Sequence, residues 1–237
     1  MSESGKRLRD VVTNLKYFIK PGISTDAIDK KAEFLIKKNN AEPSFKRVEG
    51  YSWSTCLPIN EQIVHTPPSS RILTDSDILT VDIGVFYMGY NTDYAITFPI
   101  QKSNTQTDIF LSTGKKTLTK AISEVRLGNH IGDVSQVIQK KIEHAGYSIV
   151  PELTGHGIGK ELHEDPFVPC FLDQPIKKTI EMQVGLVLAI EVIYTMGKGK
   201  IKNEKGSDWS LITADKSLSA CFEHTVAITD KGTVILT

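Results

Sequence analysis

The sequence predicts an α+β fold in which helices pack on one face of an antiparallel sheet. Two features of the chain lead to this prediction. Apolar residues recur at helical spacing in paired segments, and runs rich in β-branched and aromatic residues lie between those segments. No linker or low-complexity tract divides the chain, so residues 1–237 are expected to form a single domain.

Three amphipathic helices account for the helical part of this prediction. Residues 5–20 space apolar side chains three and four apart, and Pro21 ends that helix. Ser24 or Thr25 is expected to cap a second helix. The segment Gly128–His144 repeats the design of the second helix at an offset of 106 residues.

The offset between these helices raises the question of an internal repeat. It superimposes, in order, Gly22 on Gly128, Ile28 on Val134, Ala32 on Ile138 and Ile36 on Ile142. One interpretation is a duplication with halves at approximately residues 5–110 and 111–237. The other is a chance match, which any two amphipathic helices produce easily, and both remain open.

Four strands are expected to form the sheet. They are Ile78–Val85, Thr92–Phe98, Gly185–Tyr194 and Cys221–Thr229. The first two flank a Met88-Gly89 turn and are predicted to form a hairpin. The Lys-rich segment Lys198–Lys205 lies between the last two and is predicted to be a mobile tip.

Bulk composition excludes several classes of function. Lys and Arg total 28, as do Asp and Glu, so neither specific nucleic-acid binding nor electrostatic membrane attachment is indicated. The longest apolar stretch, Val184 to Ile190, is far too short to span a bilayer. Cys56, Cys170 and Cys221 form no disulfide framework, and no secretory signal is visible, which favours a globular protein of the reducing cytoplasm.

Four acidic residues and one histidine stand out because each lies in a predicted strand or at a strand end. They are Asp82, Asp93, His156, Glu191 and Glu223. Such groups aimed at one point repel one another, and unpaired buried charges cost several kcal/mol each. Oxygen-rich ligation with one nitrogen suits a pair of divalent cations, which commonly activate water for hydrolysis.

The predicted hairpin places two of these carboxylates on one face. If the turn centres on Met88-Gly89, Asp82 faces Ala95 and Asp93 is its diagonal neighbour. The alternative is that either aspartate caps a turn or faces solvent. Asp82 argues against it, because a lone carboxylate in an apolar run is costly. Each strand glutamate could likewise pair with Lys or Arg instead.

The histidines divide into candidate functional and structural groups. His156 is bracketed by glycines in Gly155–Gly159, and His163 follows; these glycines allow close approach to a ligand, while no phosphate-binding pattern surrounds them. His65 runs into a Pro-rich loop and could contact substrate. The others, His130, His144 and His224, are expected to be structural or exposed. Tyr51 and Trp209 could line a pocket, although aromatic residues more often belong to a core.

Taken together, five segments resemble those of type I methionine aminopeptidases. They are Asn60-Glu61-x-x-x-His65, Asp82-Ile83-Gly84-Val85 with Asp93, Gly155-His156-Gly157-Ile158-Gly159-x-x-x-His163-Glu164-x-Pro166, Ile190-Glu191, and Ser217-Leu218-Ser219-Ala220-x-x-Glu223-His224-Thr225. The likeness runs from about Gly22 to Thr237. It implies the pita-bread fold, with two pseudo-symmetric halves of helices on a curved antiparallel sheet.

The resemblance also implies an activity and a role for each residue. A cytoplasmic enzyme would remove initiator methionine from nascent polypeptides with a small second residue, using two divalent cations (Co, Mn, Fe or Zn). The implied metal ligands are Asp82, Asp93, His156, Glu191 and Glu223, with Glu191 also the general base. The implied substrate contacts are His65 to the departing nitrogen, His163 to the carbonyl oxygen, and Tyr51, Cys56 and Trp209 in the side-chain pocket.

Several positions depart from the family's usual pattern without touching the ligands. Phe45 and Val48 replace common Cys and Tyr, Leu162 replaces Phe, and Thr66-Pro67-Pro68 replaces Gly-Ile-Pro. Val192 stands where Pro is usual. An aminopeptidase of another specificity therefore stays open, as does a binding module without catalysis. The protein is expected to be monomeric, with at most transient association with the ribosome.

Overall fold

The structure, a computed structural model, describes residues 1–237 without a gap. The helices are α1 (Ser2–Phe18), α2 (Thr25–Lys38), α3 (Thr105–Ile122) and α4 (Ile131–His144), and 3-10 turns cover Phe45–Arg47 and Ile176–Lys178. The strands are β1 (Glu42–Pro43), β2 (Thr55–Cys56), β3 (Gln62–Val64), β4 (Ile78–Tyr87), β5 (Tyr90–Pro99), β6 (Ser148–Ile149), β7 (Thr154–Gly157), β8 (Glu164–Pro169), β9 (Val187–Thr195), β10 (Ile201–Asn203), β11 (Leu211–Thr213), β12 (Ser219–Thr229) and β13 (Gly232–Ile235).

Three antiparallel sheets organise these strands. The first joins β4 to β1, β2 and β5, and the second has the order β10-β11-β3. The largest has the order β13-β12-β9-β7-β8, with β6 paired to β9. Paired helices alternating with antiparallel strands confirm the predicted α+β class.

The first two helices are confirmed with small changes of boundary. α1 begins at Ser2, and α2 begins after Ser24, whose side chain accepts a hydrogen bond of 3.3 Å from the Ala27 backbone N–H. Their apolar faces pack against β4 in a core of 17 buried residues. Leu8, Ile28 and Ile83 in this core have no exposed surface. Burial of this face, more than helix propensity, holds the helices in place.

The second pair of helices contains one that the sequence-based prediction omits. α4 confirms the helix expected from Gly128, although it begins at Ile131. α3 was not predicted because its buried face includes Thr107, Gly114 and Thr117, which weaken the apolar pattern. With α4 it covers a second core of 23 buried residues. Each helical pair thus has its own core.

α2 and α4 correspond closely in detail. Both have 14 residues, and each follows a left-handed glycine, Gly22 at φ 88° and Gly128 at φ 81°. Their N-cap residues, Ser24 and His130, also each form an isolated β-bridge. These agreements support an internal repeat, which stays a prediction. Helix α3 spans residue 110, so a division along these elements falls before Thr105 rather than at residue 110.

The β4–β5 hairpin has the register expected from the sequence. Asp82 lies opposite Ala95, and Asp93 lies opposite Gly84. At the turn, Met88 has φ 48° and Gly89 has φ 85°, the left-handed pair that a two-residue hairpin turn requires. Both predicted strands are therefore confirmed, each extended by a few residues towards the turn.

Two threonine hydroxyls join β5 to β12 across the middle of the molecule. Thr225 accepts a hydrogen bond of 2.8 Å from the Asp93 N–H and donates one of 2.9 Å to the Asp93 carbonyl. Thr97 makes the same reciprocal pair of bonds, both 2.9 Å, with the backbone of Cys221. These side chains replace a backbone ladder and hold the strands of Asp93 and Glu223 side by side.

The segment Lys198–Lys205 differs from the predicted mobile tip. It contains β10, which pairs with β11 from Ile201–Thr213 to Asn203–Leu211. The glycines and lysines of the segment mask this strand of only three residues in the sequence pattern, and mobility of the segment stays a prediction. None of the helices is both long and apolar enough to cross a membrane.

Candidate metal centre

Glu191 and Glu223 lie directly opposite each other on neighbouring strands β9 and β12. Directly opposed side chains project from the same face with Cβ atoms roughly 4.5–5.5 Å apart, where like charges are destabilising. Glu223 is buried, and its Oε1 atom has no hydrogen-bond partner. A pair of carboxylates in this position requires either protons or a positive counter-charge.

Asp82 and Asp93 add two carboxylates to the same region. They are diagonal neighbours on one face of the β4–β5 hairpin. Asp93 is buried, and one of its carboxylate oxygens accepts a hydrogen bond of 2.9 Å from the Tyr94 N–H. The Thr225 junction brings this strand against β12, so the aspartates approach the glutamates from the other sheet.

His156 completes the set from β7. It lies opposite Ala189, so it projects from the same face as Glu191, and its Nε2 atom is 3.5 Å from Glu191 Oε1. Its Nδ1 atom is 2.8 Å from the Gly157 carbonyl oxygen. A hydrogen bond there makes Nδ1 the protonated nitrogen and leaves Nε2 free as an acceptor or metal ligand.

The glycines on either side of His156 permit its close packing. A Cβ atom on Gly155 would lie 2.4 Å from the Ala189 carbonyl oxygen, and one on Gly157 would meet the Asp165 carbonyl. Neither strand backbone could move without breaking the sheet around His156. The glycines therefore serve close backbone approach, as the sequence indicated.

The sequence-predicted site residues all lie around one cavity of about 140 Å³. Asp93, His156 and Glu223 each offer a ligand atom within 4.8 Å of the others. The lining residues are Phe45, Val48, Tyr51, Cys56, Val64, His65, Asp82, Asp93, His156, Leu162, His163, Glu191, Trp209, Cys221 and Glu223.

His65 and His163 stand at the cavity beside the acidic cluster. The rings of His163 and His156 are 4.5 Å apart, edge to face. His65 has φ 55°, a left-handed backbone that a non-glycine residue adopts at some cost and that often marks a functional position. Packing of protein atoms around each ring lowers the pKa of both side chains, and His163 lowers that of His65 further.

Aromatic residues form the apolar wall of the cavity. Tyr51 contacts Trp209 and Trp53 edge-on, with ring centroids 5.2 Å apart in both pairs. The Tyr51 hydroxyl donates to the Thr55 carbonyl at 2.8 Å and lies 3.2 Å from Cys56 Sγ. The wall is thus fixed by hydrogen bonds as well as by packing, and it presents carbon and sulfur to the cavity.

The chain matches metallopeptidase family M24 over residues 1–230. It is 39% identical to methionine aminopeptidase 1 of Bacillus subtilis, over 100% of this chain and 94% of that protein. The crystal structure of a methionine aminopeptidase from Thermotoga maritima superimposes with a TM-score of 0.95 at 32% identity, covering 100% and 94% of the two chains. The chain belongs to the methionine aminopeptidases of metallopeptidase family M24.

A likeness to a more distant solved structure shows the fold alone. A prolidase from Pyrococcus furiosus gives a TM-score of 0.80 at 21% identity, with this chain covering 62% of its length. The pita-bread fold expected from the sequence is therefore the fold of this M24 protein. Membership of a metallopeptidase family also implies the use of divalent metal.

The donor set of this M24 site fits divalent cations. Four carboxylates face one another with a neutral imidazole among them, and no Lys or Arg side chain forms an ion pair with any of the four. The unpartnered Oε1 atom of Glu223 lacks a donor in the protein. Carboxylate oxygens with one imidazole nitrogen suit Mn, Fe, Co or Zn.

The pKa values of the site residues also favour divalent cations at this position. Burial, followed by the neighbouring carboxylates, raises the pKa of Asp82, Glu191 and Glu223 well above the ordinary range. Burial raises the pKa of Asp93 to about 7, and burial together with His163 lowers the pKa of His156 to about 4. Without cations these groups hold protons as a cluster rather than four negative charges.

We therefore expect the metal-free protein to lose stability between about pH 6.5 and pH 8. In this range the carboxyl groups of the unfolded chain are ionised, whereas the raised pKa values of Asp82, Glu191 and Glu223 keep protons on the folded protein. The folded state then binds more protons, so its stability falls as pH rises, by up to about 1.4 kcal/mol per pH unit for each retained proton.

Thermal unfolding of the chelator-treated protein across this range measures the effect. Histidines with lowered pKa oppose the trend most strongly below about pH 6.5, and their effect fades by about pH 7.5, because the unfolded chain takes up protons on them in that range. Saturating Mn²⁺ should remove the slope, since cations displace the protons. A metal-free midpoint that rises from pH 6.5 to pH 8 would contradict the charge arrangement.

Sequence reasoning missed two residues of the cavity. Cys221 lies two positions before Glu223 on β12, so it shares the face of that glutamate, and Val64 directly precedes His65. The period-two rule applied to β12 would have found Cys221. No comparable signal marks Val64. The histidines expected to be structural lie outside the cavity, with His130 at the N-cap of α4 and His224 bonded to Thr237.

Proposed function

We propose that the protein is a metal-dependent aminopeptidase that hydrolyses the N-terminal, initiator methionine from nascent polypeptides with a small second residue. One observation carries the proposal. Four carboxylates and an imidazole converge beside a small cavity with an aromatic and aliphatic wall. Hydrolytic machinery next to a pocket for one apolar side chain is what removal of a single N-terminal methionine needs.

Two divalent cations would be shared among these side chains. Asp82 would hold one and His156 the other, while Asp93 and Glu223 would bridge both and Glu191 would add a further oxygen ligand. When bound, such cations lower the pKa of water towards neutrality and polarise a carbonyl oxygen. Cys56 and Cys221 are poor competing ligands, because burial holds the pKa of both thiols well above its ordinary value.

The protein's own groups would handle the protons and orient the peptide. Glu191 would take the proton of the attacking water, since its carboxylate lies beside His156 at the edge of the cluster. His163 is neutral near pH 7 because its pKa is lowered, so one ring nitrogen can donate to the scissile carbonyl oxygen. His65, which also lines the cavity, would donate to the departing amide nitrogen.

The size and chemistry of the cavity support methionine as the side chain bound. A flexible thioether fits an irregular apolar pocket and makes favourable contacts with aromatic ring edges. Tyr51, Phe45 and Trp209 supply such rings. A small second residue is expected because the scissile bond would lie close to His65 and His163, which line the same cavity.

Release of the first residue from matched tripeptides tests this function. With Mn²⁺ present, Met-Ala-Ser is expected to be cleaved at least about 10-fold faster than Leu-Ala-Ser, and Pro-Ala-Ser not at all. Preferred cleavage of leucine or proline would indicate an aminopeptidase of another specificity. Absence of turnover with Mn, Fe, Co and Zn alike would indicate a binding module.

The departures at Phe45 and Val48 make one prediction about selectivity. Phe45 is buried against Tyr51, with ring centroids 6.4 Å apart, and lines the cavity. Phe45→Ala is expected to raise kcat/KM for leucine relative to methionine by about 10-fold, because added space admits a branched side chain. The exposed Phe167→Ala serves as a matched control. An unchanged ratio in Phe45→Ala would remove Phe45 from the specificity pocket.

The proposal also covers the cellular location, the oligomeric state and the contact with the ribosome. The proposed enzyme would act in the cytoplasm, as a monomer, on polypeptides leaving the ribosome. The β10–β11 hairpin supports a transient ribosomal contact, because Lys198, Lys200, Lys202 and Lys205 are all exposed on or beside it. Co-sedimentation with ribosomes that disappears on replacing these lysines would support the contact.

A further inference from the structure

The loop between β7 and β8, residues 158–163, carries His163 to the cavity. Its internal hydrogen bonds are few: the Gly159 N–H donates to the Glu161 carbonyl at 3.0 Å, and the Glu161 N–H donates to the Glu164 carboxylate at 2.9 Å. Ile158 N–H donates to the Val187 carbonyl at 3.1 Å, on the side of β9. None of these bonds reaches the β4–β5 hairpin on the other side of the cavity.

Asn91 alone supplies the hydrogen bonds between this loop and that hairpin. Its backbone N–H donates to the Gly159 carbonyl at 2.8 Å. Its side-chain amide donates to the Lys160 carbonyl at 2.9 Å and to the Gly159 carbonyl at 3.3 Å. Three donors from one residue of β5 thus fix two consecutive carbonyls of the loop, which precede His163 by four and three residues.

The placement of Asn91 within its strand is unusual for a structural residue. Asn is disfavoured in strands, yet Asn91 is buried in β5 and lies two positions before Asp93, on the same face. Its Oδ1 atom is buried without a hydrogen-bond partner, which is costly for an amide. The hydrogen bonds of this side chain are therefore those of its two N–H donors, which bind the loop.

We propose that Asn91 is the positioning residue for His163. By fixing the Gly159 and Lys160 carbonyls to β5, it holds the His163 ring edge-on to His156 and in line with the place where the scissile carbonyl would lie. This inference rests on the proposed aminopeptidase function for the role of His163. Asn91 thereby couples β5, which carries Asp93, to the loop that carries His163.

Kinetics of Asn91→Ala test the proposal. We expect kcat for Met-Ala-Ser to fall about 10- to 100-fold, while KM and metal content stay within about two-fold of the parent protein. Asn91→Leu removes the same donors while nearly keeping the volume, and should match Asn91→Ala. Asn129→Ala is the matched control, because the Asn129 amide also donates to a backbone carbonyl, that of Glu124 at 2.9 Å, but far from the cavity.

A double-mutant cycle separates positioning from general loss of structure. If Asn91 acts through His163, adding Asn91→Ala to His163→Ala should reduce kcat by less than about two-fold further. If the fold-loss of kcat in the double variant equalled the product of the losses in the two single variants, the proposal would be overturned. Unchanged kcat in folded Asn91→Ala and Asn91→Leu would overturn it as well.

Hydrogen exchange in the metal-free protein gives a reading that is independent of activity. Amides of residues 158–163 should exchange at least about 10-fold faster in Asn91→Ala, while those of α3 and α4 should not change. Equal exchange in the loop would overturn the proposal even if turnover fell. An inactive parent protein with the expected exchange pattern would instead reject the aminopeptidase function and leave the attachment of the loop in place.

Discussion

Replacing Glu223 with glutamine is expected to abolish both turnover and tight binding of the metal pair. Glu223 lies opposite Glu191, is buried, and has an oxygen without a partner in the protein. An amide there removes one negative charge and one of the two anionic oxygens that a bridging ligand supplies. Turnover should fall at least about 1,000-fold, and elemental analysis should find less than one cation per chain.

Two comparisons make this result interpretable. Glu152→Gln changes an exposed glutamate and should leave metal content and turnover unaltered. Asp93→Asn should reproduce the loss, because Asp93 is the second proposed bridging ligand. In the metal-free state near pH 7 both site variants should be at least as stable as the parent protein, since each removes a carboxyl group whose raised pKa favours a bound proton in the folded state. Unchanged metal stoichiometry in Glu223→Gln would refute the bridging role.

Replacing His163 with alanine is expected to lower kcat by about 100- to 1,000-fold while the metal stays bound. The ring lies beside His156 but belongs to a loop outside the carboxylate cluster. As a neutral donor it would act on the oxygen that gains charge in the transition state, which affects kcat more than binding of the ground state. Turnover of Met-Ala-Ser and elemental analysis on the same sample measure both quantities.

The exposed His144 provides the control for this substitution. His144→Ala, at the end of α4, should change neither kcat nor metal content. Loss of metal in His163→Ala equal to that in Glu223→Gln would mean that His163 is a ligand rather than a hydrogen-bond donor. A kcat within two-fold of the parent would remove it from the reaction.

Much of the fold could be predicted because the relevant patterns are local. The apolar spacing of α1, α2 and α4 and the turn chemistry of Met88-Gly89 are readable from neighbouring residues. The register that places Asp82 opposite Ala95 follows directly from that turn. α3 escaped prediction because its buried face includes Thr117 and Gly114, and the close contact of Gly114 with Tyr194 of β9 and Phe222 of β12 is revealed only by the folded chain.

The residues of the candidate site could be predicted from the sequence, but the hydrogen bonds that hold the surrounding segments together could not. The ligand and pocket residues were named from strand alternation and from resemblance, and they lie around one cavity. Their roles stay predictions. The roles of Asn91 and of the Thr225–Asp93 junction could not be inferred, because each joins β5 to a segment that is distant in the sequence.

In the proposed metal-bound enzyme, two cations relieve the repulsion among the four converging carboxylates. Anomalous X-ray scattering from crystals of the Mn²⁺-loaded protein tests it most directly. We expect two manganese peaks per chain, both between Asp93 and Glu223, with Asp82 at one and His156 at the other. A single peak, or peaks away from these side chains, would contradict it.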